Sequence, residues 1–280
     1  MDLFPPLVEA LAFAAAVVGG LVAYGLKSVT DRDLVIFAER FGVEPGTDER
    51  PLVVARLRRA RRVRSFTAAA AFAVSTIPTW LSHLVPDAAS ALNGRLDPWA
   101  NPLVALALGV LVGEVLIRQR PTMRRAVVER RDPGRYVSIH LVRLLDVLAL
   151  ATPLAAVLAA TRGEGGAASD PVATAAFGVG AWALARFGLW SIVQRPRLAP
   201  DGGMRAVDDA LRADGAHHLV GVTLAVSAGA VGDLLWSVTW DGPAYVSLPL
   251  AAVGVAAYAT WWQLANRSRW PVAPVADRGR

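Results

Sequence analysis

Seven apolar runs punctuate the chain, each near the roughly 20 residues that a helix needs to cross a hydrocarbon core of about 30 Å. They predict transmembrane helices at about residues 7–26, 66–85, 102–117, 139–160, 172–193, 218–236 and 244–264. The third is short, so it needs snorkelling by Arg118 or local bilayer thinning to span comfortably. The predicted fold class is therefore all-α: a polytopic membrane protein with one seven-helix domain over residues 1–270. A cytoplasmic amphipathic and basic segment at 28–64 and a disordered cytoplasmic tail at 271–280 complete it.

Within the first polar interval, residues 30–42 have helical periodicity. Thr30 and Asp33 stand in a capping-box relation, and Leu34, Ile36, Phe37 and Phe41 form an apolar face expected to lie on the inner membrane surface. After a Glu44-Pro45-Gly46 turn, Pro51 opens a second helix that runs straight into the second span. That helix carries Arg56, Arg58, Arg59, Arg61, Arg62 and Arg64, a cluster expected to contact lipid headgroups at about 1 kcal/mol per residue near an anionic surface.

Charge fixes the expected orientation. Of 29 Lys and Arg, ten fall in residues 27–64, seven in 118–136, four in 194–217 and four after 266, whereas the alternate connections hold only Arg95 and Arg162. The positive-inside rule places the rich loops in the cytoplasm, the N-terminus outside and the C-terminus inside. A cleaved signal peptide is not expected, because Asp2 and Glu9 precede the first basic residue, Lys27. Trp80, Trp99, Trp236 and Trp240 mark the outer interface, Trp190, Trp261, Trp262 and Trp270 the inner one, and Trp182 alone lies mid-span.

Composition then narrows the chemistry. The 280 residues are 54% apolar and 19% charged, with a pI near 10.6 that the topogenic loops explain without nucleic acid. The absence of cysteine excludes disulfides, thiolate metal sites and cysteine nucleophiles. Lys27, the only lysine, ends the first span, so no Schiff-base lysine lies within one. Neither a His-Glu-x-x-His helix, a Walker A loop nor a Gly-x-Ser-x-Gly elbow occurs. No catalytic residue, cofactor or metal is therefore assigned, and His217-His218 read as interfacial or capping groups.

Charges inside spans are costly and mark the sites to test. Glu114 lies near the inner end of the third span, His140, Arg143 and Asp146 in the inner third of the fourth, and Arg186 in the inner part of the fifth. Their shared depth predicts a buried cluster in which Glu114 and Asp146 face Arg143 and Arg186. Asp233, beside Trp236, sits at the opposite interface, too far from Asp146 for a proton-sharing acid pair. Pro153 and Pro249 fall in the outer halves of their spans, and Gly109-x-x-x-Gly113 is a motif for helix self-association.

Two short echoes suggest parallel helical-hairpin repeats: Gln119-Arg120-Pro121 with Arg125-Ala126-Val127, and Gln194-Arg195-Pro196 with Arg205-Ala206-Val207. Gly113-Glu114, Arg120-Pro121, the basic loop, Gln194-Arg195-Pro196-Arg197 and Asp208-Asp209-Ala210-Leu211-Arg212 together resemble uncharacterised multipass membrane proteins of high-GC actinobacteria. That resemblance spans little over half the chain and implies a multipass membrane fold, with no activity or cofactor attached. A membrane-embedded enzyme ranks third, since the sequence carries no catalytic signature; the expected role is an accessory or regulatory component of the cell membrane. Its partners would be anionic lipids and a membrane protein or second copy of itself. The alternative is a small secondary transporter or channel whose inner gate is the Glu114, Arg143, Asp146 and Arg186 set.

Overall fold

A computed structural model describes residues 4–84, 102–117, 133–161, 170–194, 202–239, 255–264 and 266. These residues are helical apart from short turns, with no strand among them. The helices are α1 (Phe4–Leu26), α2 (Asp31–Phe41), α3 (Arg50–Leu84), α4 (Pro102–Leu116), α5 (Ile139–Thr161), α6 (Pro171–Gln194), α7 (Gly202–Thr239) and α8 (255–264). A single 3-10 turn, Pro133–Arg135, precedes α5.

Among the described residues, three helices are long and apolar enough to cross a membrane: Ile139–Thr161, Pro171–Gln194 and Met204–Leu235. A fourth is reached if α1 and α2 count as one span broken by an 82° bend. α4 has 15 residues, about 22 Å at 1.5 Å per residue, so it falls short as its sequence indicates. Trp99, Trp240, Pro249, Trp270, the loop 118–132, most of the final span and the tail 271–280 lie outside the described residues, as do the side chains of Trp80 and Trp236. So does the first copy of the suggested repeat.

Beyond Asp146 the exposed face of α5 is as apolar as its buried face, His140, Arg143 and Asp146 being confined to the first eight positions of the helix. On α5, Val142, Leu145, Ala149, Thr152 and Ala156 point inward while Val147, Leu150, Leu154 and Val157 point outward, Leu150 and Leu154 at 69% and 71% exposure. In water such a face would carry charges; a helix apolar all round suits hydrocarbon. Pro153 sits on the outward side of α5.

α7 departs most from the sequence reading. Residues 202–217, expected as part of a cytoplasmic loop, are instead the first sixteen residues of a 38-residue helix about 57 Å long. Its charges made it read as a loop, yet Asp208, Asp209, Arg212 and Asp214 are paired inside the protein. Arg212 Nε and Nη2 donate to Asp208 Oδ2 at 2.9 and 2.8 Å, and Arg212 Nη1 donates to the Ile192 carbonyl at 2.8 Å. Asp209 accepts from Arg135 Nη2 at 2.7 Å and from the Tyr136 hydroxyl at 3.1 Å. Hydropathy cannot distinguish a buried helix of paired charges from a solvated loop.

α2 forms with the caps its sequence prescribes. Thr30 and Asp33 exchange the two capping-box bonds, and Gly42 closes the helix at φ 65°, donating to the Ala38 carbonyl at 2.8 Å. Three of its four apolar anchors, however, turn into the protein rather than toward a membrane surface: Leu34, Phe37 and Phe41 join a core with Val53, Leu211 and Ala213, while Ile36 is exposed.

α3 and α4 pack more closely than any self-association reading of the Gly-x-x-x-Gly motif requires. A Cβ on Gly109 would lie 2.4 Å from the Thr67 carbonyl oxygen and 2.6 Å from Ala68 Cα, and one on Gly113 would lie 3.1 Å from Arg64 Cα. The two glycines are thus spent on an internal contact, which sets Arg64 beside Glu114.

Candidate functional site

Four charged side chains from four helices, α2, α3, α4 and α7, converge in one network. Arg64 of α3 donates from Nε to Glu114 of α4 and from Nη2 to Asp214 Oδ2 of α7, the latter at 3.2 Å. Arg40 of α2 donates from Nη1 to Asp214 Oδ1 at 3.3 Å and from Nη2 to the Leu264 carbonyl of α8 at 3.2 Å. The carboxylate side chains of Glu114 and Asp214 are only 2% and 9% exposed. Two guanidiniums therefore compensate two carboxylates out of contact with water, the arrangement under which buried ions become tolerable.

Burial weakens the grip of Arg40 on its proton, and the carboxylate of Asp214 works against that loss. His218, one helical turn beyond Asp214, brings Nε2 to 3.9 Å from Asp214 Oδ1. His217 faces away, its Nδ1 2.8 Å from the Ala213 carbonyl oxygen and its ring 6.4 Å from that of Phe41. The pair does point in different directions. Neither histidine is a helix cap, because α7 begins sixteen residues earlier than hydropathy suggests.

The four intramembrane charges read from the sequence thus divide between two places. Glu114 belongs to the buried network. Asp146 lies near Arg186, with Nε of the arginine 3.9 Å from Oδ1, and accepts a 2.9 Å bond from Trp182 Nε1. Those two side chains are 41% and 45% exposed, and Arg143 and His140 are exposed on α5. Only α5 and α6 meet there; the close approach of α3 to α4 draws Glu114 to Arg64 instead. A second structure-only finding is that Trp182, mid-span in sequence, has a polar partner at this depth.

The arginine cluster divides by face. Arg58, Arg59 and Arg62 are exposed, as headgroup contact requires. Arg56, Arg61 and Arg64 turn inward: Arg56 Nη1 reaches the Ile117 carbonyl at 3.4 Å, and Arg61 reaches the Ser28 carbonyl at 3.1 Å and Asp33 Oδ2 at 3.1 Å. Partial burial would raise the Asp33 carboxyl, but the Thr30 amide and Arg61 outweigh it and hold the group below the ordinary carboxylate value.

Two cavities flank the network. One, of about 380 Å³, includes Arg64 and His218 in its wall; the other, of about 300 Å³, includes Glu114, Arg56 and Gly215. A larger groove of about 710 Å³ lies apart from both, along the outer side of α2 between Asp31 and Arg50. Arg40 and Asp214 were not among the residues picked out by sequence, and His218 was read only as an interfacial or capping group. The one available signal was the Asp214–His218 spacing of four, legible only once residues 202–217 are known to be helical.

No family model, characterised protein or solved structure matches the chain.

Proposed function

We propose that this protein is a multipass component of a cell membrane, with seven spans, an external N-terminus and a cytoplasmic C-terminus, acting through lipids or membrane partners as an accessory or regulatory element. Kinship with the multipass proteins of high-GC actinobacteria is part of the same reading. The observation that carries it is the outward face of α5, where Val147, Leu150, Leu154 and Val157 stand exposed with no charged residue among them. The exposed Arg58, Arg59 and Arg62 supply a surface for anionic headgroups where α3 leaves its apolar half.

The cysteine-free sequence makes the test direct. In intact cells an impermeant maleimide should label Gly165→Cys, between α5 and α6, and should reach Asp48→Cys, between α2 and α3, only after permeabilisation. Labelling of both from outside overturns the topology. Purification from native membrane, with identification of proteins and lipids that remain bound, tests the accessory role.

A second reading, transport gated at the inner side, is favoured by one feature: the Arg64–Glu114 pair has a cavity on either side. It keeps Glu114 from the expected gate and replaces Arg143, Asp146 and Arg186 with Arg64 and Asp214. Ion or solute flux in liposomes that falls in Glu114→Gln favours transport; absence of flux in protein alone favours the accessory role.

A further inference from the structure

We infer that the 380 Å³ cavity among α1, α3, α4, α7 and α8 binds the ester region of a membrane glycerolipid. The inference rests on the membrane reading above. The volume falls within the range of about 300–1,000 Å³ usual for small-molecule sites. Leu21, Ala68, Leu106 and Val110 give it an apolar wall from three helices.

Its polar equipment consists of buried atoms that lack hydrogen-bond partners, two of them donors and one an imidazole nitrogen whose role is set by its tautomer. The Tyr258 hydroxyl and Trp261 Nε1 are buried in this wall with no hydrogen-bond partner among the described residues, and His218 Nδ1 is a third such atom. Buried polar atoms in native folds are ordinarily paired, so the two orphan donors of Tyr258 and Trp261 beside one cavity point to a guest that supplies oxygen. Gly221 helps present them: a Cβ there would meet Trp261 Cδ1 at 3.1 Å and its Cα at 3.3 Å, so a larger residue would press Trp261 slightly away from α7.

Charge selects the kind of oxygen. The two cations in the wall are already compensated, Arg64 by Glu114 and Asp214, Arg61 by Asp33. A neutral acceptor suits the site better than a free anion. At the mouth, Tyr24 is 55% exposed and lies under Arg61, whose guanidinium carbon is 5.2 Å from the ring centroid; Trp262 is 50% exposed beside it. Aromatic and arginine residues of this kind mark a membrane interface. Tyr258 lies four residues, about 6 Å, further along α8 from Trp262, at the depth where ester carbonyls sit beneath headgroups.

The test uses full-length protein stripped of lipid in detergent, titrated with bromine-labelled diacylglycerol while tryptophan fluorescence is followed. Saturable quenching is expected. An ether-linked analogue, which lacks the carbonyls, should bind about fivefold more weakly, and Tyr258→Phe should weaken the ester lipid by a similar factor. Val110→Phe and Leu21→Phe, on different helices, should each remove the saturable component, whereas Leu150→Phe on the outward face of α5 should keep it.

Equal binding of ester and ether lipid, or full binding in Tyr258→Phe, overturns the inference even if the cavity-filling variants fail to fold. So does preferential binding of a short-tailed naphthoquinone over the ester lipid. Absence of saturation in a protein whose maleimide pattern matches the proposed topology sinks the lipid site alone; a wrong pattern sinks the membrane reading first.

Discussion

The two halves of α7 are built on opposite rules. From Gly202 to His217 the helix buries Asp208, Asp209, Arg212, Asp214 and His217, and every one has a named partner on another segment or one turn away. From His218 onward its buried residues are apolar or small, with only Thr223 and Ser227 as buried hydroxyls. Specific geometry holds the first half, since each ion needs its counter-ion in place. Packing holds the second, and packing tolerates substitution more gradually. One continuous helix thus joins a region where a single change leaves an ion stranded to one where it leaves a gap.

Removing the central cation should break this contrast most sharply. Arg64→Ala leaves Glu114 and Asp214 without their shared partner, and a loss of about 3–5 kcal/mol is expected in thermal or denaturant unfolding of the detergent-solubilised protein. Arg186→Ala, which removes an equally charged but half-exposed partner, should cost no more than about 1 kcal/mol. Equal losses would show that the buried network has no privileged role.

Next in size is a test of the apolar face. Leu154→Arg should lower membrane insertion of α5 by about 2.5–3.5 kcal/mol in a glycosylation-based insertion assay. Unchanged insertion would mean that this face does not meet lipid. Gly109→Ala should cost about 1–3 kcal/mol in unfolding, because its Cβ would meet the backbone of α3, which cannot swing aside. A Gly180→Ala control, with nothing within 4 Å of the added carbon, should be neutral or slightly stabilising.

Acid titration gives the smallest effect. Asp33 has its pKa lowered in the folded protein, so its contribution is complete above the ordinary value of 3.8 and is lost as pH falls through the lowered folded value. Wild type should lose slightly more stability than Asp33→Asn over that interval, by less than about 1 kcal/mol, the scale of a helix cap.

Apolar run length and capping chemistry made much of the architecture legible. α2 begins at Thr30 and ends at Gly42 as its residues prescribe, and α3 runs unbroken from the arginine cluster into its apolar half. The sequence also implied that two carboxylates would face two guanidiniums, and such a group exists. Its members differ, because depth along a helix says nothing about which face a residue occupies. Glu114 could be placed in depth, but its meeting with Arg64 depends on Gly109 and Gly113 admitting α4 against α3. Arg40 and Asp214 were hidden for another reason: both lie in stretches whose polarity imitates exposure while their charges are paired inside. Trp261 carried only an interfacial signal and Tyr258 none, since a missing acceptor is a property of three-dimensional surroundings.

Continuity of α7 has a mechanical corollary. A rod about 57 Å long, clamped by ions at one end and by small-residue packing at the other, has no joint at which to absorb a change of tilt. Were the bilayer to thin or thicken around its apolar end, the adjustment would be carried along the rod to Asp214 and His218, where fractions of an ångström decide whether Arg40 and Arg64 keep their grip.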